Sequence, residues 1–234
     1  KGGITVNFIV DKKMPEVMVN NLKKYGKVYP SIEVNTQDKS INSHPDLQIH
    51  FISDKTVVTA PEVYEYYKSI LPHTINIEKG ISNIGFTYPK NCAYNIVRLG
   101  RTIICNTMYA EKTILDYYNK NGYRIINVKQ GYTKCNVCPI ADNAFITEDS
   151  GICKTVRNTA DDIKVYLLTP GSVRLDGFEY GFIGGASGRC GENILLCGSI
   201  TKTEELKKII DKTNLKIITL SEKELYDFGS IISF

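Results

Sequence analysis

Seven cysteines and three histidines carry most of the nucleophilic and metal-ligating chemistry open to this 234-residue chain. Cys135 and Cys138 stand at Cys-x-x-Cys spacing, which suits a metal or a redox pair. A structural zinc site needs four ligands, however, and no second Cys-x-x-Cys or histidine pair follows at a finger-like distance. Cys190, Cys153 or His44 could complete a set only through tertiary folding, so no metal site is assigned. Nor does the pair open a helix after a strand, as a thioredoxin-type motif does. The odd cysteine count gives no disulfide ladder, and Cys105 and Cys197 lie in apolar runs as small hydrophobes, a usage that suits a reducing compartment. His44, His50 and His73 all fall before residue 80. The glycine-rich stretch GFIGGASGRCGENI (181–194) lacks G-x-x-x-x-G-K-[ST] and leads into a strand, so no nucleotide cofactor is implied. Its glycines suit a long hairpin loop or a mobile flap over a ligand.

Net charge is +4, and the lysines are spread over every helical segment without a block of five or six like charges. That is a solvated surface and argues against nucleic acid. No run approaches the ~18–20 apolar residues of a membrane span, and no cleavable signal pattern is present, so a cytoplasmic location is expected.

Positioning these groups requires a scaffold, and the chain writes one repeatedly. An amphipathic helix, a Gly, Pro or Asn breaker and an apolar strand recur in NNLKKYGKVYP (20–30), YYKSILPHTINI (66–77), DYYNKNGYRIINV (116–128), VYLLTPGSVRL (165–175) and IIDKTNLKIITL (209–220). Helix starts are expected near Pro15, Pro61, Ala110, Thr159 and Lys202, a period of 43 to 49 residues. Pro15 and Pro61 sit at first helical positions with Glu following, where the missing N–H costs nothing and the acid meets the positive helix end. Strand pairs precede four of the helices, at 47–60, 94–106, 143–155 and 181–199, the last with a Gly-rich insertion. The fifth pair is divided between ITVNFIVD (4–11) and GSIISF (229–234), so strands from the two ends of the chain are expected in one sheet. Val63, Tyr66, Tyr67 and Ile70, like Leu206, Ile209 and Ile210, form single apolar stripes and read as core.

Five strand-strand-helix-strand units closed by N- and C-terminal strands resemble the pentein fold. This is the five-bladed α/β propeller of arginine deiminase, dimethylarginine dimethylaminohydrolase, agmatine deiminase and the amidinotransferases, and of bacterial members of the same superfamily. The segments LDGFEYGFIGGASG (175–188) and LYDFGSIISF (225–234) carry local echoes of the Gly-Gly-acid turn and the closing segment of those enzymes. The resemblance implies one domain over 1–234, with units at about 1–43 plus 229–234, 44–89, 90–134, 135–176 and 177–228.

In such a fold the entry points of the first strands face one another across a central channel. Here they would bring together Asp46, Asn95, Asp142, Asn143, Glu179 and Asp227, with Cys92, Cys135, Cys138 and Cys190 beside them. A polar channel mouth of this kind suits a small cation bearing a guanidine, amidine or amine. The hydrolases of the superfamily use a Cys in the last unit, a His in the third and a carboxylate in the second. This chain offers Ser230 and Ser233, no His, and Asn95 at those places, so the usual set is missing. Two readings remain: a binder of a small guanidine, amidine or amine in the central channel, which could also be a C–N hydrolase with Cys138 or else Cys92 as nucleophile and His44 as base, or a catalytically silent pentein that binds a protein or ribosomal partner, as the ribosome anti-association factor of this fold does.

Overall fold

The computed structural model of the chain describes residues 6–36, 38–201 and 203–234. Its elements run β1 (Val6–Val10), α1 (Glu16–Leu22), β2 (Gly26–Pro30), β3 (Ile49–Ser53), β4 (Thr56–Thr59), α2 (Tyr64–Ile70) and β5 (Asn76–Lys79). Next come β6 (Val97–Leu99), β7 (Thr102–Cys105), α3 (Lys112–Lys120), β8 (Arg124–Asn127) and the single turn α4 (Thr133–Asn136). The chain continues through β9 (Val137–Ala141), β10 (Ala144–Thr147), α5 (Ser150–Thr159), β11 (Lys164–Leu167), β12 (Ser187–Cys190), β13 (Asn193–Leu196), α6 (Glu204–Ile210), β14 (Lys216–Thr219) and β15 (Ile232–Ser233). The expected helix start at Lys202 lies outside the described residues, as do residues 4 and 5 of the first expected strand.

These elements make five three-stranded sheets, ordered β15-β1-β2, β3-β4-β5, β6-β7-β8, β9-β10-β11 and β12-β13-β14. Each has one antiparallel and one parallel pair, and the parallel partners are joined through a helix, as a parallel connection requires. In the first sheet the antiparallel partner comes from the other end of the described chain: Phe8 faces Ser233 and Ile9 faces Ile232. The expectation that both chain ends contribute to one sheet therefore holds. Packing ties neighbouring sheets together, with β9 lying against β6 and β12, and β12 against β15. Apolar clusters fill the spaces between them; one combines Phe8 and Leu22 with Ile140, Leu195 and Leu206, and another Ile9 with Tyr67, Tyr94, Ile103 and Tyr118. Among the described residues no helix is long and apolar enough to cross a membrane.

The fourth unit differs from the sequence expectation. Thr159 closes α5 instead of starting a helix, and residues 150–155, expected as a strand, are its first turns. The reason is local: the Asp149 side chain accepts from Ile152 N at 2.7 Å, capping the helix, and Ile152, Cys153 and Val156 bury one face. The true hairpin is β9 with β10, turning at Asp142 and Asn143. The glycine-rich 181–194 stretch differs too. Residues 183–188 are buried, and the expected insertion around Arg189 and Cys190 is strand β12 itself, so this is no flap.

Candidate functional site

The chain before β3 turns through a short 3-10 segment, Pro45–Leu47, and delivers His44 and Asp46 to the interior at 2 % and 1 % exposure. Three further segments meet them there. Asn95 precedes β6, Cys135 sits in α4, and Asp227 to Ser230 lead into β15. Gly229 makes the last approach possible, because its φ is +64° and a Cβ there would collide with the His44 side chain. Ser230, at φ 74°, is the one non-glycine residue with positive φ among the described residues, a backbone cost found mostly where function holds it.

A closely bonded polar cluster results. Ser230 Oγ donates to Asp46 Oδ2 at 2.7 Å, and Cys135 Sγ donates to the same oxygen at 3.1 Å. Lys134 Nζ donates to Ser230 Oγ at 3.0 Å. Asn95 Nδ2 donates to Asp46 O and to Cys135 Sγ, both at 3.2 Å, while its Oδ1 accepts from Lys134 N at 2.6 Å. His44 lies between two carboxylates, 3.8 Å from Asp11 Oδ2 through Nε2 and 3.8 Å from Asp227 Oδ1 through Nδ1. Two polar atoms of the cluster, His44 Nε2 and Asp46 Oδ1, are buried without a hydrogen-bond partner in the chain.

Burial dominates the electrostatics. It pushes the Cys135 thiol well above its ordinary value, with Asp46 and Asp227 adding to the effect. It also raises Asp227 and Asp11, against the opposing pull of His44 on each. Burial thus works against the charged forms of both carboxyls, and Cys135 is a thiol donating a hydrogen bond, not a free thiolate.

Two cavities flank the cluster. One, of about 340 Å3, is lined by Asp46, Lys134, Arg98, Arg189 and His50, with Phe51, Tyr94, Ile96 and Ile231 as apolar lining. His50 is neutral there: burial, with Arg98 and Lys134 nearby, pulls its pKa down to about 3, and its Nε2 lies 2.8 Å from Tyr118 Oη. The other is a mostly apolar cavity of about 80 Å3 lined by His44, Cys135 and Asp227 together with Tyr132, Phe178, Tyr180 and Phe182. A larger groove of about 820 Å3 runs past Pro15, Ser172 and Lys223 and reaches Tyr226 and Phe228, on either side of Asp227 in the chain.

Of the residues expected from sequence, His44, Asp46, Asn95 and Asp227 converge here. Cys138 does not: it sits on β9 inside an apolar cluster, 1 % exposed, and burial raises its pKa. Cys135, three residues earlier, is the sulfur beside Asp46. Asp142 and Asn143 occupy the exposed β9–β10 turn, where Asp142 pairs with Arg189 at 2.9 Å. Glu179 is exposed on the loop before β12. Cys92 is buried and donates to Pro89 O at 2.8 Å, with its thiol pushed up to about 12, and Cys190 lies half-buried on β12. Sequence reasoning missed Lys134 and Asp11 as members, and noticed Ser230 only as a residue that is not Cys. The hydrophobic-to-polar switch at Asp11, straight after the run Phe8-Ile9-Val10, was a usable signal for a buried carboxylate.

The chain matches the family of unknown function DUF6873 over residues 9–232. No curated protein sequence matches it. Among solved structures it is similar to a mutant dimethylarginine dimethylaminohydrolase from Pseudomonas aeruginosa complexed with citrulline, at 8 % identity and a TM-score of 0.53 over 93 % of each chain. It is also similar to SxtG, an amidinotransferase of saxitoxin biosynthesis from Microseira wollei (12 %, TM-score 0.57, 97 % of this chain and 93 % of that one). A third similarity is to the agmatine deiminase of C. jejuni (10 %, TM-score 0.55, 98 % and 92 %). The five three-stranded sheets and these whole-length similarities agree: the chain belongs to the DUF6873 family and has the pentein fold.

Proposed function

We propose that the five sheets are the blades of a single propeller domain and that the protein binds a small zwitterionic molecule in the 340 Å3 cavity at its centre. The cation of the ligand, a guanidine, amidine or amine, would meet Asp46, and its acid group would meet Arg98, Arg189 or Lys134. The observation that carries this reading is the cavity's composition: Asp46, a buried carboxylate with a partnerless oxygen, lines it together with three basic side chains and several apolar ones, Arg98 and Arg189 also pairing with Asp54 and Asp142. The volume lies at the small end of the range for small-molecule sites. The similar dimethylarginine dimethylaminohydrolase holds citrulline, itself a zwitterion, which supports the ligand class.

In this reading the protein binds without thiol chemistry. Cys135 is protonated and engaged with Asp46, and the nearest residue of the closing segment is Ser230. The test is calorimetry with citrulline, arginine and agmatine, alongside a turnover assay for released ammonia or amine. Citrulline or arginine should bind, agmatine should bind less tightly for want of an acid group, and none should be consumed. Asp46→Asn should weaken arginine binding by about a hundredfold, the scale of a charge-assisted pair. Absence of binding by all three would sink the ligand class, and turnover lost in Cys135→Ser would overturn the binder reading in favour of an enzyme.

A further inference from the structure

We infer that His44, Asp46 and Cys135 form a site for a divalent transition metal, zinc by its donor chemistry. One ligand atom from each of the three lies within 4.8 Å of the others, and all three residues are buried. Imidazole nitrogen, carboxylate oxygen and thiolate sulfur together suit zinc and disfavour magnesium and calcium, which take oxygen.

The second observation is independent of the spacing. Among the described residues only three buried side-chain polar atoms lack a hydrogen-bond partner in the chain, and two of them belong to this set: His44 Nε2 and Asp46 Oδ1. Leaving such atoms unpaired is costly, and a metal would satisfy both. The surroundings fit as well. Asp11 and Asp227 flank the imidazole on its two sides, and both are already fixed by other donors: Asp11 Oδ1 by Ser43 Oγ at 2.7 Å and Lys13 N at 2.6 Å, Asp227 by Phe182 N at 3.0 Å and Gly229 N at 2.9 Å. A carboxylate held beside the nitrogen that does not take the metal can orient a ligating histidine once the 3.8 Å gap closes to hydrogen-bond length. The 80 Å3 cavity that His44 and Cys135 both line leaves room for a water or a small ligand as a fourth ligand.

Loading is proton-balanced. The Cys135 S–H bond breaks, the S–metal bond forms, and the proton leaves to solvent, so the hydrogen bond from Sγ to Asp46 is exchanged for shared coordination. The site stands apart from the zwitterion reading except that both use Asp46.

The test titrates chelator-stripped full-length protein with cobalt(II), then zinc. Wild type should show a thiolate-to-cobalt charge-transfer band with tetrahedral d–d absorption, one equivalent of zinc, and one proton released per metal, read from the buffer dependence of the binding enthalpy. Cys135→Ser should lose the charge-transfer band, His44→Gln should weaken affinity at least a hundredfold, and Asp227→Asn should weaken it about 10–100-fold. Cys138→Ala and Cys92→Ala should leave the band unchanged. A folded wild-type protein without the band overturns the proposal, whatever the variants do, and so does a band that survives Cys135→Ser. Citrulline calorimetry on stripped protein reads the zwitterion proposal separately, so either can fail alone.

Discussion

Asp46 has one oxygen shared between Ser230 and Cys135 and the other without a partner, at 1 % exposure. Leaving a buried carboxyl oxygen without a partner costs stability that function must justify. Asp46→Asn is therefore expected to raise Tm by about 2–4 °C per kcal/mol relieved, while removing ligand binding, as differential scanning calorimetry and titration would show. A second carboxylate gives a pH signature. Burial raises Glu148 to about 7 from 4.5, against hydrogen bonds from Ile183 N and Ser172 Oγ. The folded chain then holds a proton that the unfolded chain has lost, so stability falls as pH rises from about 4.5 to 7, by ~3 kcal/mol at most. Glu148→Gln should flatten chemical denaturation midpoints across that interval; an unchanged slope would show that the carboxyl titrates normally. At this scale the sequence was half legible. His44 and Asp46 stood out as an acid and a base two residues apart, but choosing between Cys135 and Cys138 needed the turn of α4. That turn points one sulfur at the polar cluster, and β9 points the other into apolar packing.

Helices α2 and α6 were readable because Val63, Tyr67 and Ile70, and Leu206, Ile209 and Ile210, keep a clean 3.6-residue stripe. Helix α5 was not, because SGICKTVRNT mixes glycine, threonine and valine, and its mark is the single cap at Asp149. Asp149→Ala should cost about 1 kcal/mol, measurable as a lower urea midpoint with an unchanged slope. Glu111 carries more. It caps α3 through Thr113 N and also accepts from Ile81 N at 3.0 Å and Ser82 N at 2.7 Å; although burial acts to raise its pKa, these bonds outweigh it and lower it. Glu111→Ala leaves three donors without acceptors and should cost about 2–4 kcal/mol. A loss below 1 kcal/mol would mean that water replaces the carboxylate. The sequence reading passed over this residue, since one acid ahead of a helix looks the same whether it ties down a distant loop or not.

For the whole molecule, Asp46 belongs to both proposed sites, which makes them competitors. Zinc-loaded protein should bind citrulline or arginine more weakly than stripped protein, and each should lower the apparent affinity of the other by the same factor. Equal affinities with and without metal would show that the two sites are independent. The repeat itself was visible in the chain because every unit writes its own helix and strand locally. The pairing of β1 with β15 was inferable only because one unit had a strand missing at each end. That pairing has a consequence for biosynthesis. Asp46 leaves the ribosome early, yet Ser230 follows 184 residues later, and the strand that covers the edge of β1 comes after it. Until then the first sheet presents an open edge, a template for mispairing. A nascent chain halted before residue 230 would hold four sheets' worth of sequence but lack Ser230 and the Ile231–Ser233 lining of the 340 Å3 cavity, so in a half-made copy that cavity is left incomplete by topology alone.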